Sequence, residues 1–140
     1  MKRIPLILVL VILIGCTQTK QLAPLPKVQD TNRAAHIHVM RVPRFYMDGV
    51  VYLIHLDEDL VFQIKPSYRT TFLVDPGIHV VTLVKQVYAG MQSQRVKLNC
   101  VPGGEYYLII SPRGMKEISK EQAAPYLEKY KHVPLEYQED

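Results

Sequence analysis

The sequence predicts a mainly β protein, an antiparallel β-sandwich of about seven strands with a short C-terminal helix. Three observations support this fold class. Residues 35–110 contain short stretches of alternating or β-branched residues, and turn signals separate these stretches. No helical period lies between them, which argues against the βαβ units of a parallel sheet. The period changes to that of a helix only at residue 118.

The predicted strands follow one another closely along the chain. They cover residues 35–42, 50–56, 60–64, 68–74, 78–86, 92–99 and 105–110. An acidic turn lies at Asp57-Glu58-Asp59, and proline–glycine turns lie at 75–77 and 102–104. Proline presets φ for a turn and glycine accepts positive φ, so these segments are expected to reverse the chain. The nearly continuous apolar runs at 50–56 and 105–110 indicate central strands that are covered on both sides.

The C-terminal helix is predicted over residues 118–131. Ser119 stands in the N-cap position and Gln122 follows three residues later, which is the spacing of a capping box. Pro125 lies inside this segment, so we expect it to kink or break the helix, or to begin a second one. Residues 132–140 are expected to be frayed. The side chains predicted to pack on the sandwich are Tyr126, Leu127 and Tyr130.

The N-terminal segment has the organisation of a secretory signal. Two cations at residues 2–3 precede an apolar run that extends to Ile14, broken only by Pro5. This run is shorter than the roughly 20 residues that a membrane-spanning helix requires. It ends in "LIGC" at residues 13–16, which resembles the bacterial lipoprotein lipobox: an aliphatic residue, a variable one, a small one and an obligatory cysteine.

The lipobox resemblance implies that residues 1–15 are a signal peptide, cleaved between Gly15 and Cys16, and that Cys16 is lipidated. Two or three acyl chains would hold the protein firmly in a membrane, since a single chain binds only reversibly. Thr17 follows the cysteine, where an Asp would favour the inner membrane of Gram-negative bacteria. The expected location is therefore the cell envelope, with the outer membrane favoured and the domain facing the periplasm. Residues 16–34 are predicted to be the lipidated cysteine and a flexible tether with a span of about 25 Å.

Composition limits the size and the partners of the mature chain. Removal of residues 1–15 leaves 125 of 140 residues, enough for one domain, predicted at 35–131. Lys plus Arg falls from 17 to 15 against 13 Asp plus Glu, a net charge near +2. Because no strongly basic stripe is present, nucleic acid is not an expected partner.

Motifs of catalysis and cofactor binding are missing from the sequence. It contains no P-loop, no dinucleotide fingerprint and no G-x-S-x-G elbow. We therefore predict no enzyme activity, no cofactor and no small-molecule substrate. Lipidation of Cys16 would leave Cys100 unpaired, and Cys100 is expected to be a buried residue at a strand end. The alternative is an exposed Cys100 thiol that pairs with a partner.

Several segments resemble the PEGA-like domains of small bacterial envelope lipoproteins, a family of unknown function. They are the first strand ending in Arg41, the hairpin "VYLIHLDEDLVFQI" (51–64), "VDPGIHVVTL" (74–83) and "VPGGEYYLII" (101–110). Together they cover roughly residues 35–131, although the hairpin turn lacks the Asp-Gly that many relatives have. The resemblance implies a sandwich related to transthyretin-like and immunoglobulin-like modules. It implies no activity, because the family has none established.

His36 and His38 are the candidates for metal binding, although no metal site is predicted outright. They stand two residues apart on a predicted strand, so their side chains share a face and can meet one ion. His55 or His79 could supply a third ligand. The alternative is a pair of solvent-facing histidines. The acidic turn at Asp57-Glu58-Asp59 could be read as a calcium loop, but it lacks the spacing and glycine of an EF-hand, which favours a solvated turn.

A contact loop is predicted at "VYAGMQ", residues 87–92, where Tyr88 and Met91 are expected to be exposed. Arg95 and Lys97 beside it could meet anionic lipid headgroups, another envelope protein or an envelope polymer; as charges on a solvent face they need no partner. These observations favour a membrane-anchored envelope lipoprotein that is a non-enzymatic binding or structural module. The alternative is a periplasmic metal-binding module that uses His36 and His38.

Overall fold

Two five-stranded sheets face each other in residues 20–43, 50–87 and 90–139, the parts of the chain that this computed structural model describes. The strands are β1 (Lys20–Gln21), β2 (Ala35–Arg41), β3 (Tyr52–Leu56), β4 (Asp59–Ile64), β5 (Tyr68–Val74), β6 (Gly77–Val87), β7 (Gly90–Cys100), β8 (Glu105–Ser111), β9 (Gly114–Ile118) and β10 (Lys131–His132). Helix α1 (Lys120–Lys129) lies between β9 and β10. The first sheet has the order β1-β4-β3-β6-β7, and the second sheet has the order β10-β5-β2-β8-β9.

The core lies between the two sheets and is built from alternate residues of each strand. In β2, for example, Ile37 and Val39 are fully buried between the sheets, whereas His36 and His38 project from the outer face of the second sheet. The largest buried side chains of this core are Leu25, Ile37, Ile54, Phe62, Ile64, Phe72, Leu83, Leu98, Leu108, Ile110 and Met115. The predicted mainly β sandwich with a C-terminal helix is therefore confirmed.

The sequence predicts antiparallel sheets, but the second sheet also contains parallel pairs. Strand β2 pairs antiparallel with β5 but parallel with β8, and β10 pairs parallel with β5. A parallel pair needs a long crossover. Here the chain between β2 and β8 contributes β3 and β4 to the first sheet, β5 to the second, and β6 and β7 to the first again. The alternation of apolar and polar residues along a strand shows which face of the strand is buried, but it does not show whether the adjacent strand runs parallel or antiparallel.

Three of the ten described strands were missed. Strands β1 and β10 have two residues each, too few for a period. Strand β9 follows a two-residue turn after β8 and runs directly into the helix signal, so no separate strand was predicted there. The predicted turn at Asp57-Glu58 is confirmed: both residues have positive φ, 49° and 77°, as the hairpin turn of type I′ requires.

Helix α1 begins as predicted, because Ser119 Oγ accepts a hydrogen bond from the Gln122 amide at 3.2 Å. In return, Gln122 Oε1 accepts one from the Ser119 amide at 3.0 Å. The helix continues through Pro125 to Lys129, so Pro125 neither breaks the helix nor begins a second one. The packing of α1 on the second sheet holds both halves of the helix in place. The side chains in this contact are Met40, Tyr107, Ala123, Tyr126, Leu127 and Tyr130, as predicted for Tyr126, Leu127 and Tyr130.

Residues 20–34 are part of the sandwich, so the prediction that they belong to a flexible tether is wrong. Strand β1 pairs with β4, and Leu25 is fully buried in the core. Residues 132–139 are likewise folded, because Val133, Leu135 and Tyr137 pack against the same core. Among the described residues, the sandwich therefore includes the chain from Lys20 onward and the predicted tail. The predictions for Gly15, Cys16 and the rest of residues 1–19 lie outside the described residues, as does Tyr88.

Candidate metal centre

Three strands of the second sheet bring five polar side chains together on its outer face. His36 and His38 project from β2, beside the Met40 end that α1 covers. The parallel register places Glu105 opposite His36 and Tyr107 opposite His38. The antiparallel register on the other side places Thr71 opposite His38. Helix α1 leaves the histidine end of this face open, with the His36 side chain 38% exposed and that of Glu105 41% exposed.

The spacing of the donor atoms in the cluster His36–His38–Glu105 fits a single ion. Glu105 Oε1 lies 3.6 Å from His36 Nδ1 and 3.7 Å from His38 Nε2. One donor atom from each residue lies within 4.8 Å of the other two. A tetrahedral zinc ion with bonds of about 2.1 Å holds its ligand atoms about 3.4 Å apart. Small side-chain rotations would therefore bring all three donors to bonding distance.

Neighbouring groups orient two of these donors. Thr71 Oγ1 lies 2.9 Å from His38 Nδ1, and the Tyr107 ring stacks on the His38 ring at 4.8 Å and 9°. The Tyr107 hydroxyl donates to Glu105 Oε2 at 3.0 Å, which leaves Oε1 directed at the histidines. Metal-binding histidines and carboxylates in proteins are held by outer hydrogen bonds of this kind.

His38 Nε2 is buried and has no hydrogen-bond partner among the described residues. Buried polar atoms are nearly always paired, so an unpaired ring nitrogen needs an explanation. The contact with Glu105 Oε1 is too long for a hydrogen bond. In the tautomer in which Nδ1 donates its proton to Thr71 Oγ1, Nε2 carries the lone pair that a metal ion requires.

Electrostatics favours the protonation states that a metal ion requires. Burial lowers the pKa of His38, and the Glu105 carboxylate offsets part of this shift. The hydrogen bond from Tyr107 lowers the pKa of Glu105. At neutral pH the cluster therefore offers a neutral buried imidazole and an ionised carboxylate. Metal binding needs both, because a protonated ligand must lose its proton first.

Neither His55 nor His79 supplies the third ligand, so that expectation is wrong. Both lie in the first sheet, whereas the cluster is on the outer face of the second. His79 is also fully engaged, since its Nδ1 lies 2.6 Å from Asp57 Oδ2 and its Nε2 lies 2.7 Å from the Asp75 carbonyl oxygen. The third side chain of the cluster comes from Glu105 instead. It was missed because only the pairing of β2 with β8 brings it near the histidines.

Asp57 has a structural role in the acidic turn. Its Oδ1 accepts a hydrogen bond from the Val80 amide at 2.8 Å while its Oδ2 holds His79. The carboxylate thus ties the turn between β3 and β4 to strand β6. This agrees with the interpretation of Asp57-Glu58-Asp59 as a hairpin turn instead of a calcium loop.

Met91, Arg95 and Lys97 are exposed, but they do not form a loop. All three belong to strand β7, which begins at Gly90, and their side chains share the outer face of the first sheet. The predicted loop at 87–92 is too long, because β6 continues to Val87. Met91 is 73% exposed.

Cys100 is buried at the end of β7, 2% exposed, as predicted. Burial raises the pKa of its thiol to about 11, and the negative charges of Asp57 and Glu117 contribute to the shift. A buried and protonated thiol is unreactive. The alternative of an exposed, partner-pairing Cys100 is therefore wrong.

Fold and site together define a two-sheet β-sandwich with a His/His/Glu cluster beside a C-terminal helix. No protein-family model matches the chain, and none of the curated proteins matches its sequence. Among the residues described, no helix has the length and hydropathy to cross a membrane.

Proposed function

We propose that the mature protein is a lipid-anchored protein of the bacterial cell envelope whose sandwich binds a divalent transition-metal ion without catalysing a reaction. Metal binding is proposed because donor atoms of His36, His38 and Glu105 lie close together, and the His38 Nε2 atom among them is buried without a hydrogen-bond partner in the described residues. The anchor is proposed from the sequence "LIGC" at residues 13–16.

Zinc is the ion that this donor set favours most. Two imidazole nitrogens and one carboxylate oxygen form a ligand set that zinc commonly uses in proteins, with a fourth position left to water or another ligand. Copper(II) also accepts imidazole and carboxylate ligands and is the natural competitor. Because the His36 and Glu105 side chains are more than a third exposed, an ion could enter and leave without unfolding of the sandwich.

Isothermal titration of the purified acylated protein with Zn²⁺ and Cu²⁺ tests this proposal. We expect one ion per chain with a Kd below about 100 μM. His38→Gln and Glu105→Gln should each weaken binding at least about tenfold, and Tyr107→Phe should weaken it less, because it removes only an orienting hydrogen bond. His55→Gln is the matched control, since it removes an imidazole from the other sheet. No binding in the unsubstituted protein, or equal binding in the His38 and His55 variants, would contradict the proposal.

The proposed anchor is tested by substitution of the two cysteines in the intact cell. Cys16→Ser should leave an unprocessed precursor and abolish labelling by radioactive fatty acid. Cys100→Ser is the matched control, because Cys100 lies in the core and should leave processing unchanged. Normal processing of the Cys16 variant would exclude a lipoprotein. Thr17→Asp should shift the protein from the outer to the inner membrane.

We also propose that the sandwich is related to the PEGA-like domains that its sequence resembles. The two-sheet sandwich is the type of fold that the resemblance implies, and this supports it. We infer that the partner is another component of the envelope, since the proposed anchor keeps the sandwich there. The cluster His36–His38–Glu105 offers such a partner a metal-bridged contact.

A further inference from the structure

The proposed lipid anchor lies close to the folded sandwich. Lys20 pairs with Gln63 and Gln21 pairs with Phe62, so the chain is fixed in the first sheet from residue 20 onward. Four residue steps separate Cys16 from Lys20. In any conformation of those residues the two Cα atoms lie at most about 14 Å apart. A sandwich anchored at Cys16 is therefore held at the bilayer surface, well within the span of about 25 Å expected for a long tether.

The outer face of the first sheet carries the composition of an interfacial surface. We define this face by the side chains that alternate with the core residues of β1, β4, β3, β6 and β7. Lys20, Arg95 and Lys97 project from it, since their register partners Gln63, Thr82 and Val80 alternate with buried residues. Three large apolar side chains of this face are more than a third exposed, Leu60 37%, Ile78 61% and Met91 73%. Leu22, 39% exposed, directly follows β1, and its amide donates to the Val61 carbonyl of β4.

Apolar side chains interspersed with cations are the pattern by which peripheral segments bind phospholipid headgroups. Three acids, Asp57, Glu58 and Asp59, stand at the β3–β4 turn at one end of this face, so that end is expected to tilt away from the bilayer. The opposite side of the sandwich is covered by α1, which keeps the apolar residues of the second sheet's outer face from solvent.

We propose that the outer face of the first sheet lies on the phospholipid headgroups of the leaflet that holds the anchor. This inference rests on the proposed lipidation of Cys16. The short connection makes contact between this face and the membrane intramolecular, so a weak affinity suffices to hold the orientation. The cluster His36–His38–Glu105 is on the outer face of the other sheet and points away from the membrane.

The test uses the full acylated protein in vesicles of phosphatidylcholine with phosphatidylglycerol as the minor component. A bimane fluorophore is attached at Ser93→Cys, on the proposed membrane face, or at Ala124→Cys, on the exposed side of α1. The native cysteines do not react, because Cys16 is acylated and Cys100 is buried. Nitroxide groups on the lipid headgroups should quench the fluorophore at Ser93 at least about threefold more than the one at Ala124.

Charge reversal provides the matched control. Arg95→Glu with Lys97→Glu should lower the quenching at Ser93 at least about twofold, whereas Lys116→Glu with Lys120→Glu should leave it unchanged. Equal quenching at Ser93 and Ala124, in protein that floats with the vesicles and carries acyl chains by mass spectrometry, would overturn the proposed orientation and leave the anchor intact. Protein that lacks acyl chains and stays free of the vesicles would overturn both.

Discussion

Leu25→Ala should destabilise the sandwich strongly, although Leu25 stands in a proline-bearing segment without periodicity. The side chain is fully buried in the core, and the Leu25 amide donates to the Glu136 carbonyl at 3.0 Å. Truncation of a buried leucine costs about 2–5 kcal/mol, and the exact cost depends on how far the cavity collapses. Leu25 lies where both chain termini meet the core, so partial collapse is expected and we predict a loss of about 3 kcal/mol.

Urea unfolding followed by circular dichroism measures this loss. With an m-value of about 1–3 kcal/mol per molar, the midpoint should fall by at least about 1 M while the m-value stays constant. Leu22→Ala is the matched control: it removes the same atoms from the same segment, but Leu22 is 39% exposed, so its effect should stay within about 0.5 kcal/mol. Equal stabilities of the two variants would show that residues 20–34 are a tether after all, and the argument for a short connection to Cys16 would fall with it.

Other perturbations test the edges of the sandwich and the cluster. Gln94→Ala should cost about 1–2 kcal/mol in thermal unfolding, because it removes the hydrogen bonds of 2.7 Å that the Gln94 amide group makes with the Met115 carbonyl and amide. Gly114→Ala should cost about 1–3 kcal/mol and speed amide exchange at Met115, since Gly114 has φ +127° and a Cβ there would collide with the Gln94 side chain. Burial lowers the pKa of His38, so the unfolded chain binds the extra proton as the pH falls through the ordinary histidine pKa, and the metal-free protein should lose stability from pH 7 to pH 5. His38→Gln should flatten this dependence of stability on pH. His132→Gln is compared with it, because burial also lowers the pKa of His132. A pH dependence that neither substitution changes would contradict the assignment to buried histidines.

The parts of the fold that could be predicted from sequence are those that a local pattern determines. Alternation in β2 separates Ile37 and Val39 from the histidines, and this fixes which side chains enter the core. The capping box of Ser119 and Gln122 fixes where α1 begins. In each case the interacting residues are within four positions of one another, so the signal is present in a short window.

Glu105 could not be predicted as a neighbour of His36, because 69 positions separate them along the chain (105 − 36). Their contact depends on β2 and β8 pairing in parallel with one particular register. A shift of that register by one residue would place Tyr106 beside His36 and turn Glu105 to the other face. The His-x-His pattern thus identified two donors, and the tertiary structure supplies the third.

The same reason explains why the chain ends were misassigned. Leu25 is flanked by two prolines, Pro24 and Pro26, and Tyr137 stands among polar and acidic residues. A single apolar residue has no period, so each segment appears unstructured by itself. Paired through a parallel bridge, the two residues close the core together.

Glutamine side chains close both open sides of the sandwich, and this links the proposed anchor to the rest of the fold. Gln94 of β7 joins the two sheets at one side by its bonds to Met115 of β9. At the other side, Gln21 donates to the Glu136 carbonyl at 2.7 Å and accepts from the Glu136 amide at 2.6 Å. Gln21 belongs to β1 of the first sheet, and Glu136 lies in the C-terminal segment that follows β10 of the second sheet, so this pair ties the start of the described chain to its end. A short connection and a closed edge together would hold the sandwich as a rigid body on the membrane. The cluster His36–His38–Glu105 would then face a defined direction, which a flexible tether of eighteen residues, 17–34, could not impose.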